Sequence, residues 1–132
     1  MRRLEFLKKL SFYSIMAIVP IEFIPPHKRI NNHDARKISD FYIAGYFFYE
    51  GQNIESDLNV NDALELVREP ENEYDDHAVA IYHGRNKLGY IPRYCNQIPA
   101  EIIDNKIKLY SRINQINAEM PTWERVKVEL LL

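Results

Sequence analysis

From residue 41 onward, short runs of strand-forming residues alternate with turns, and this pattern restricts the possible fold more than any other feature. Residues 63–68 alternate at period two, which places Leu64 and Leu66 on one face of a strand. Predicted strands cover residues 41–49, 63–68, 78–82, 87–91, 107–116 and 126–132. Six short strands with one or two short helices predict a mainly β protein, a small OB-like or SH3-like β-barrel.

Smaller features refine this prediction. Gly45 interrupts the first strand and is expected to mark a bulge or a close contact. Residues 54–58 are compatible with one helical turn, and residues 96–104 predict the main helix. Asn96 is the expected N-cap of that helix, with Ile98, Ile102 and Ile103 on one side.

The segment between the second and third predicted strands is rich in functional groups. Residues 69–77 include five acids, Asn72 and Tyr74. An ordinary connecting turn is shorter and consists mostly of small turn-forming residues. Hydrogen-bonding groups and an aromatic ring on a loop held by rigid strands are the usual arrangement of a binding site.

The charges of the chain are unevenly distributed. Residues 1–40 hold eight Lys/Arg against four Asp/Glu, whereas residues 41–132 hold nine against fifteen. The folded part is therefore expected to be acidic, which disfavours a broad electrostatic grip on a polyphosphate. The single cysteine, Cys95, excludes an internal disulfide and a multi-cysteine zinc site.

The N-terminal residues resemble an export signal. Arg2, Arg3 and two lysines precede the mostly apolar residues 10–19, so residues 1–26 are interpreted as a signal-like or membrane-tethering segment. A short amphipathic helix docked on the domain is the alternative. Residues 27–40 are polar and turn-rich and are interpreted as a linker to a domain at 41–132. This pattern favours an exported or membrane-associated protein, with a cytoplasmic one as the alternative.

Several motifs recur together in one known family. They are Gly45-Tyr46-Phe47-Phe48-Tyr49-Glu50-Gly51, Val67-Arg68-Glu69-Pro70 with Asn72 and Tyr74-Asp75, Ala78-Val79-Ala80-Ile81, and Leu88-Gly89-Tyr90-Ile91-Pro92-Arg93. With these motifs, residues 41–116 resemble the HIRAN domain. The resemblance implies a modified OB-like barrel that captures the 3′ end of single-stranded DNA, without catalysis and without a cofactor or metal.

The resemblance also implies roles for individual residues. Phe48 and Tyr74 would sandwich the terminal base, and Asp75 would accept a hydrogen bond from the 3′-hydroxyl. Asn72 would read the base edge or brace the loop, Arg93 would meet a phosphate, and Tyr49 would support the pocket. Arg68 and Tyr90 are further supporting candidates. Phe47 stands where animal members tend to carry an arginine.

Other interpretations remain open for these positions. Phe48 and Tyr74 could be ordinary barrel residues, Asp75 could close an Asx-turn, and Arg68 could pair with a nearby acid. The domain as a whole could be a protein-interaction or envelope-associated module that keeps the fold without binding DNA. Hydrolysis by the carboxylates is a third hypothesis, but the sequence lacks a nucleophile–base pair or a defined metal set.

Overall fold

The computed structural model describes residues 35–132, and its regular elements are short. The strands are β1 (Lys37–Tyr42), β2 (Ala63–Arg68), β3 (Val79–His83), β4 (Asn86–Tyr90), β5 (Tyr110–Ile116) and β6 (Val126–Leu131). The α-helices are α1 (Gly51–Ile54) and α2 (Gln97–Asp104). Single 3-10 turns cover Tyr46–Phe48, Glu55–Asp57, Arg93–Cys95 and Thr122–Glu124. The prediction of a mainly β, OB-like fold with six strands is therefore confirmed.

The six strands form one antiparallel sheet in the order β1-β6-β5-β2-β3-β4. The sheet curls into a half-barrel. Its edge strands β1 and β4 come close enough that the chain just after β1 pairs with β4. Ala44 and Tyr90 exchange both backbone hydrogen bonds there, each at 2.9 Å. Gly89 makes this approach possible, since a Cβ at that position would lie 2.3 Å from the Ala44 carbonyl oxygen.

The inner face of the curled sheet holds the core. Val79, Ile81, Leu88, Ile113 and Leu130 are fully buried. They come from four strands and form one cluster with the other inward residues. The period-two pattern of a half-buried strand predicts this arrangement, and burial of such side chains contributes roughly 1.5–3 kcal/mol each.

The structure corrects three details. The predicted strand over residues 41–49 ends at Tyr42, and Gly45, with φ of 73°, starts a 3-10 turn instead. A left-handed residue ends the extended backbone there, and glycine adopts that conformation without a steric cost. The linker predicted to extend to residue 40 also ends too late, because β1 begins at Lys37 and pairs with Leu131.

The third correction concerns α2. Asn96 precedes the helix as predicted, but its side chain makes no capping hydrogen bond, since it is used elsewhere. Ile98 is 67% exposed, although Ile103 of the same predicted face packs against the core. The buried residues of the helix are Pro99 and Ala100.

The signal-like segment, residues 1–26, lies outside the described residues. Within residues 35–132, no helix combines the length and the apolar character needed to span a membrane.

Candidate nucleic-acid interface

Residues 45–49, here called the aromatic turn, hold two exposed rings on a buried anchor. Tyr46 is buried, and its hydroxyl donates a hydrogen bond to Glu55 Oε1 at 2.9 Å. Burial and this carboxylate raise the Tyr46 pKa far above its usual value, so the hydroxyl stays a donor. Phe47 and Phe48 are 61% and 80% exposed and pack edge to face, with ring centroids 5.6 Å apart. The predicted alternative, in which Phe48 is a barrel residue, does not fit this exposure.

Tyr49 turns back toward the sheet. Its half-buried ring meets the Tyr90 ring edge-on, with centroids 5.8 Å apart. The Lys87 ammonium lies 4.7 Å from the Tyr49 centroid and 4.3 Å from the Tyr90 centroid. These distances fall within the range of cation–π attraction, which holds the aromatic turn to β4.

Glu69, which directly follows β2, binds the polar groups beside this contact through its carboxylate. The residue is only 8% exposed. Its Oε1 accepts hydrogen bonds from the Tyr90 hydroxyl at 2.8 Å and from Asn72 Nδ2 at 3.0 Å. Lys87 Nζ lies 3.3 Å from Oε2 and donates to the Tyr90 hydroxyl at 2.6 Å. We call Glu69, Lys87 and Tyr90 the buried triad, after the buried carboxylate of Glu69; Lys87 and Tyr90 are half-buried.

Burial first, and then the hydrogen bond to Glu69, raises the pKa of Tyr90 far above its usual value. The hydroxyl therefore remains protonated and donates to the carboxylate throughout the neutral range. The family resemblance indicates Tyr90 as a supporting residue, but the sequence gives no indication of the roles of Glu69 and Lys87. No local pattern reveals their pairing, because β4 and the end of β2 come together only through β3, which pairs with both strands.

Residues 69–78, here called the recognition loop, are held in shape by Asn72. Its Oδ1 accepts from the backbone N–H of Tyr74 at 2.9 Å and of Asp75 at 3.2 Å. Its Nδ2 is engaged by Glu69, so the side chain braces the loop on both sides. Tyr74 projects from this brace with 84% of its surface exposed.

Asp75 lies next to Tyr74, and both of its carboxylate oxygens have partners. Oδ1 accepts a hydrogen bond from the His77 backbone N–H at 3.0 Å. This contact forms the Asx-turn that the sequence offered as an alternative role for Asp75. Oδ2 accepts from the buried Asn96 Nδ2 at 2.6 Å. A carboxylate oxygen accepts two hydrogen bonds, so each still has capacity for a further donor.

The two predicted arginines occupy different environments. Arg93 is an exposed side chain whose Nε lies 3.9 Å from Asp75 Oδ2, so a cation stands beside that carboxylate. Arg68 is half-buried, donates to the carbonyls of Asp76 and Ala78, and pairs with Asp104 at 2.9 Å. It fastens the recognition loop to α2, as the ion-pair alternative predicted.

The structure therefore brings the predicted residues into two linked groups. Within residues 35–132, Phe48 packs on Phe47 and makes no ring contact with Tyr74. The link between the aromatic turn and the recognition loop passes through Tyr49, the buried triad and Asn72.

Asp75, Asp76 and His77 form a group with potential metal ligands. One ligand atom of each lies within 4.8 Å of the others, on a loop where Asp76 is exposed. Three adjacent polar residues on an exposed loop commonly occur without an ion. The grouping alone therefore carries no metal assignment.

The comparison with protein families decides the relationship. The model of the HIRAN domain matches residues 37–132. The chain belongs to the HIRAN domain family. HIRAN is a family of binding domains known to bind single-stranded DNA. The start of the match at residue 37 coincides with the first residue of β1.

Solved structures show the same architecture. A crystal structure of a protein from Lactobacillus plantarum matches with a TM-score of 0.65 and 27% identity, over 74% of this chain and 93% of that one. The HIRAN domain of human HLTF matches with a TM-score of 0.57 and 21% identity, over 70% and 72% of the two chains. A comparison with curated proteins gave no match. At these identities, the human HIRAN structure supports the fold alone.

Proposed function

We propose that this HIRAN domain is a non-catalytic module that captures the 3′ end of single-stranded DNA. The observation that carries the proposal is the pair of exposed rings, Phe48 and Tyr74, on two segments tied to one buried triad. Exposure of an aromatic ring costs solvation free energy unless a partner covers it, and a nucleobase is a suitable flat partner.

The polar groups beside Tyr74 suit the end of a strand. A terminal 3′-hydroxyl is a hydrogen-bond donor. Each Asp75 carboxylate oxygen already accepts one hydrogen bond and has a further lone pair for this donor. An internal nucleotide has a phosphate at this position, which the carboxylate would repel. Exposed Arg93, next to Asp75, is the candidate contact for the preceding phosphate.

The recognition loop also favours a second candidate function. Glu71, Glu73 and Asp76 are exposed around Tyr74, and residues 41–132 carry six more acids than Lys/Arg residues. Such a rim slows association with a polyanion and would attract a basic protein segment. A protein-interaction module that keeps the HIRAN fold is therefore the alternative to DNA capture.

Ring-directed variants distinguish these functions. The measurement is fluorescence anisotropy with a 5′-labelled single strand of about ten nucleotides, within the usual size of such sites. Phe48→Ala and Tyr74→Ala should each weaken binding by about 1–3 kcal/mol if each ring stacks on a base. Tyr74→Phe keeps the π-face and should bind like the wild type. Equal binding by folded Tyr74→Ala and wild-type protein would contradict the stacking arrangement.

Salt dependence separates the phosphate contact from the stacking. Arg93→Met should lower affinity uniformly across sequences and reduce the salt slope by about one. The ring variants should leave the slope nearly unchanged, since they remove no phosphate contact. A wild-type protein without measurable affinity for single strands, but with affinity for a basic peptide, would favour the alternative function.

A further inference from the structure

The buried triad lies between the two ring-bearing segments and touches both. On one side, Lys87 and Tyr90 contact the ring of Tyr49, the neighbour of Phe48 in the aromatic turn. On the other side, Glu69 accepts the Asn72 amide at 3.0 Å, and Asn72 receives the backbone N–H groups of Tyr74 and Asp75. A continuous series of contacts therefore runs from beside one exposed ring to the other.

We infer that Glu69, Lys87 and Tyr90 are positioning residues that set the spacing of the two rings and the placement of the Asp75 carboxylate. This inference rests on the proposed function, and it assigns roles to Glu69 and Lys87 that do not require contact with DNA. The triad acts through Asn72, whose hydrogen bonds to consecutive backbone N–H groups fix where Tyr74 and Asp75 lie.

The polar character of the triad supports a positioning role. A buried ion pair contributes little net stability compared with apolar residues of similar volume, because desolvation offsets the Coulomb attraction. Hydrogen bonds have directions, however, and a fully satisfied network specifies one arrangement of the segments that it joins. Every member of the triad has a partner for its polar group, so the arrangement is strongly determined.

The charges also explain why all three members are needed together. Glu69 is the buried anion, Lys87 neutralises it at 3.3 Å, and the Tyr90 hydroxyl donates to the carboxylate while accepting from Lys87. Removal of Lys87 leaves a buried carboxylate without its cation, which favours water entry or a shift of the loop. A shift there moves Asn72, and with it Asp75.

The test compares affinities for two ends of one strand. Lys87→Met removes the cation but keeps an apolar stem, and Tyr90→Phe removes only the hydroxyl. Each variant is titrated with the same single strand carrying a 3′-hydroxyl or a 3′-phosphate. The ratio of the two affinities reports the placement of Asp75. A loss of stability alone would not change this ratio, because it affects the binding of both strands equally. We expect the ratio to fall about fivefold or more in both variants, as for coupled neighbours.

Arg112→Met is the matched control. Arg112 pairs with Glu129, and these side chains are 23% and 12% exposed, close to the 22% and 9% of Lys87 and Glu69. The pair joins β5 and β6, outside the two ring-bearing segments. This variant should lose comparable stability and keep the wild-type ratio.

The outcomes separate the inference from the proposed function. If the wild type prefers the hydroxyl end and folded Lys87→Met and Tyr90→Phe keep that preference, the positioning inference is overturned while the proposed function stands. If the wild type shows no binding or no end preference, the proposed function fails, and the inference fails with it. Tyr90→Phe is the milder change, so it supplies the result even where Lys87→Met does not fold.

Discussion

The aromatic turn exposes two rings to solvent and the recognition loop exposes one, and different forces hold these two segments. The aromatic turn is anchored mainly by packing, because the ring of Tyr46, the residue before the two exposed phenylalanines, is buried. The recognition loop contains little apolar anchorage and is shaped by side-chain hydrogen bonds from Asn72, Asp75 and Arg68. An exposed ring can thus be held rigidly either by packing or by polar bracing.

The largest effect should come from the packed anchor. Tyr46→Ala removes a side chain that is 1% exposed and leaves a cavity beneath the aromatic turn, so we expect a loss of about 3–5 kcal/mol in the free energy of unfolding. Phe48→Ala, two residues later, should cost no more than about 0.5 kcal/mol, because its ring is already in water. Urea denaturation measures both. Similar losses of unfolding free energy in the two variants would show that Tyr46 does not anchor the turn.

A smaller effect is expected in the polar region. Asn72→Ala deprives two backbone N–H groups of their acceptor and Glu69 of a donor, which should cost about 1–3 kcal/mol. Asn53→Ala is the control. Among the described residues, the exposed Asn53 side chain bonds only to Glu50, so its loss should cost under about 0.5 kcal/mol. The melting temperatures of the two variants are compared with that of the wild type. An Asn72→Ala protein that melts at the wild-type temperature would contradict the bracing role.

The smallest effect concerns the ion pair that fastens the recognition loop to α2. The hydrogen bond from Arg68 holds the Asp104 pKa below its usual value of 3.8. A carboxyl pKa that is lower in the folded state contributes stability that is fully present above the unfolded pKa. This contribution is lost as the pH falls through the folded pKa. Arg68→Met should return the Asp104 pKa toward 3.8 in an NMR titration. An unchanged titration would mean that the pair does not form in solution.

The two regions also differ in how far the sequence predicted them. The sequence predicts the recognition loop correctly, because acids, Asn72 and Pro70 between two apolar runs are a local pattern. For the aromatic turn the sequence predicts a strand, because aromatic residues favour strands and only Gly45 indicates a break. Tertiary contacts decided that region: the pairing of Ala44 with Tyr90 fixes where the chain turns.

The same distinction holds for the candidate site. The resemblance of short motifs to the HIRAN family indicates Phe48, Tyr74, Asp75 and Arg93, and all four lie at or near the surface. The distant partners of Asp75 and Glu69 could not be predicted. Asn96 follows Asp75 by 21 residues, and Lys87 follows Glu69 by 18, so the contacts exist only once the sheet has curled.

The most direct test of the central claim is the affinity of the wild-type protein for one single strand ending in a 3′-hydroxyl or in a 3′-phosphate. We predict roughly tenfold tighter binding of the hydroxyl end, the size of one hydrogen bond to a charged group. Asp75→Asn should abolish this preference. Asp76→Asn, which makes the same charge change on the adjacent, 84% exposed side chain, should retain it. Equal affinity of the wild type for the two ends would contradict 3′-end capture.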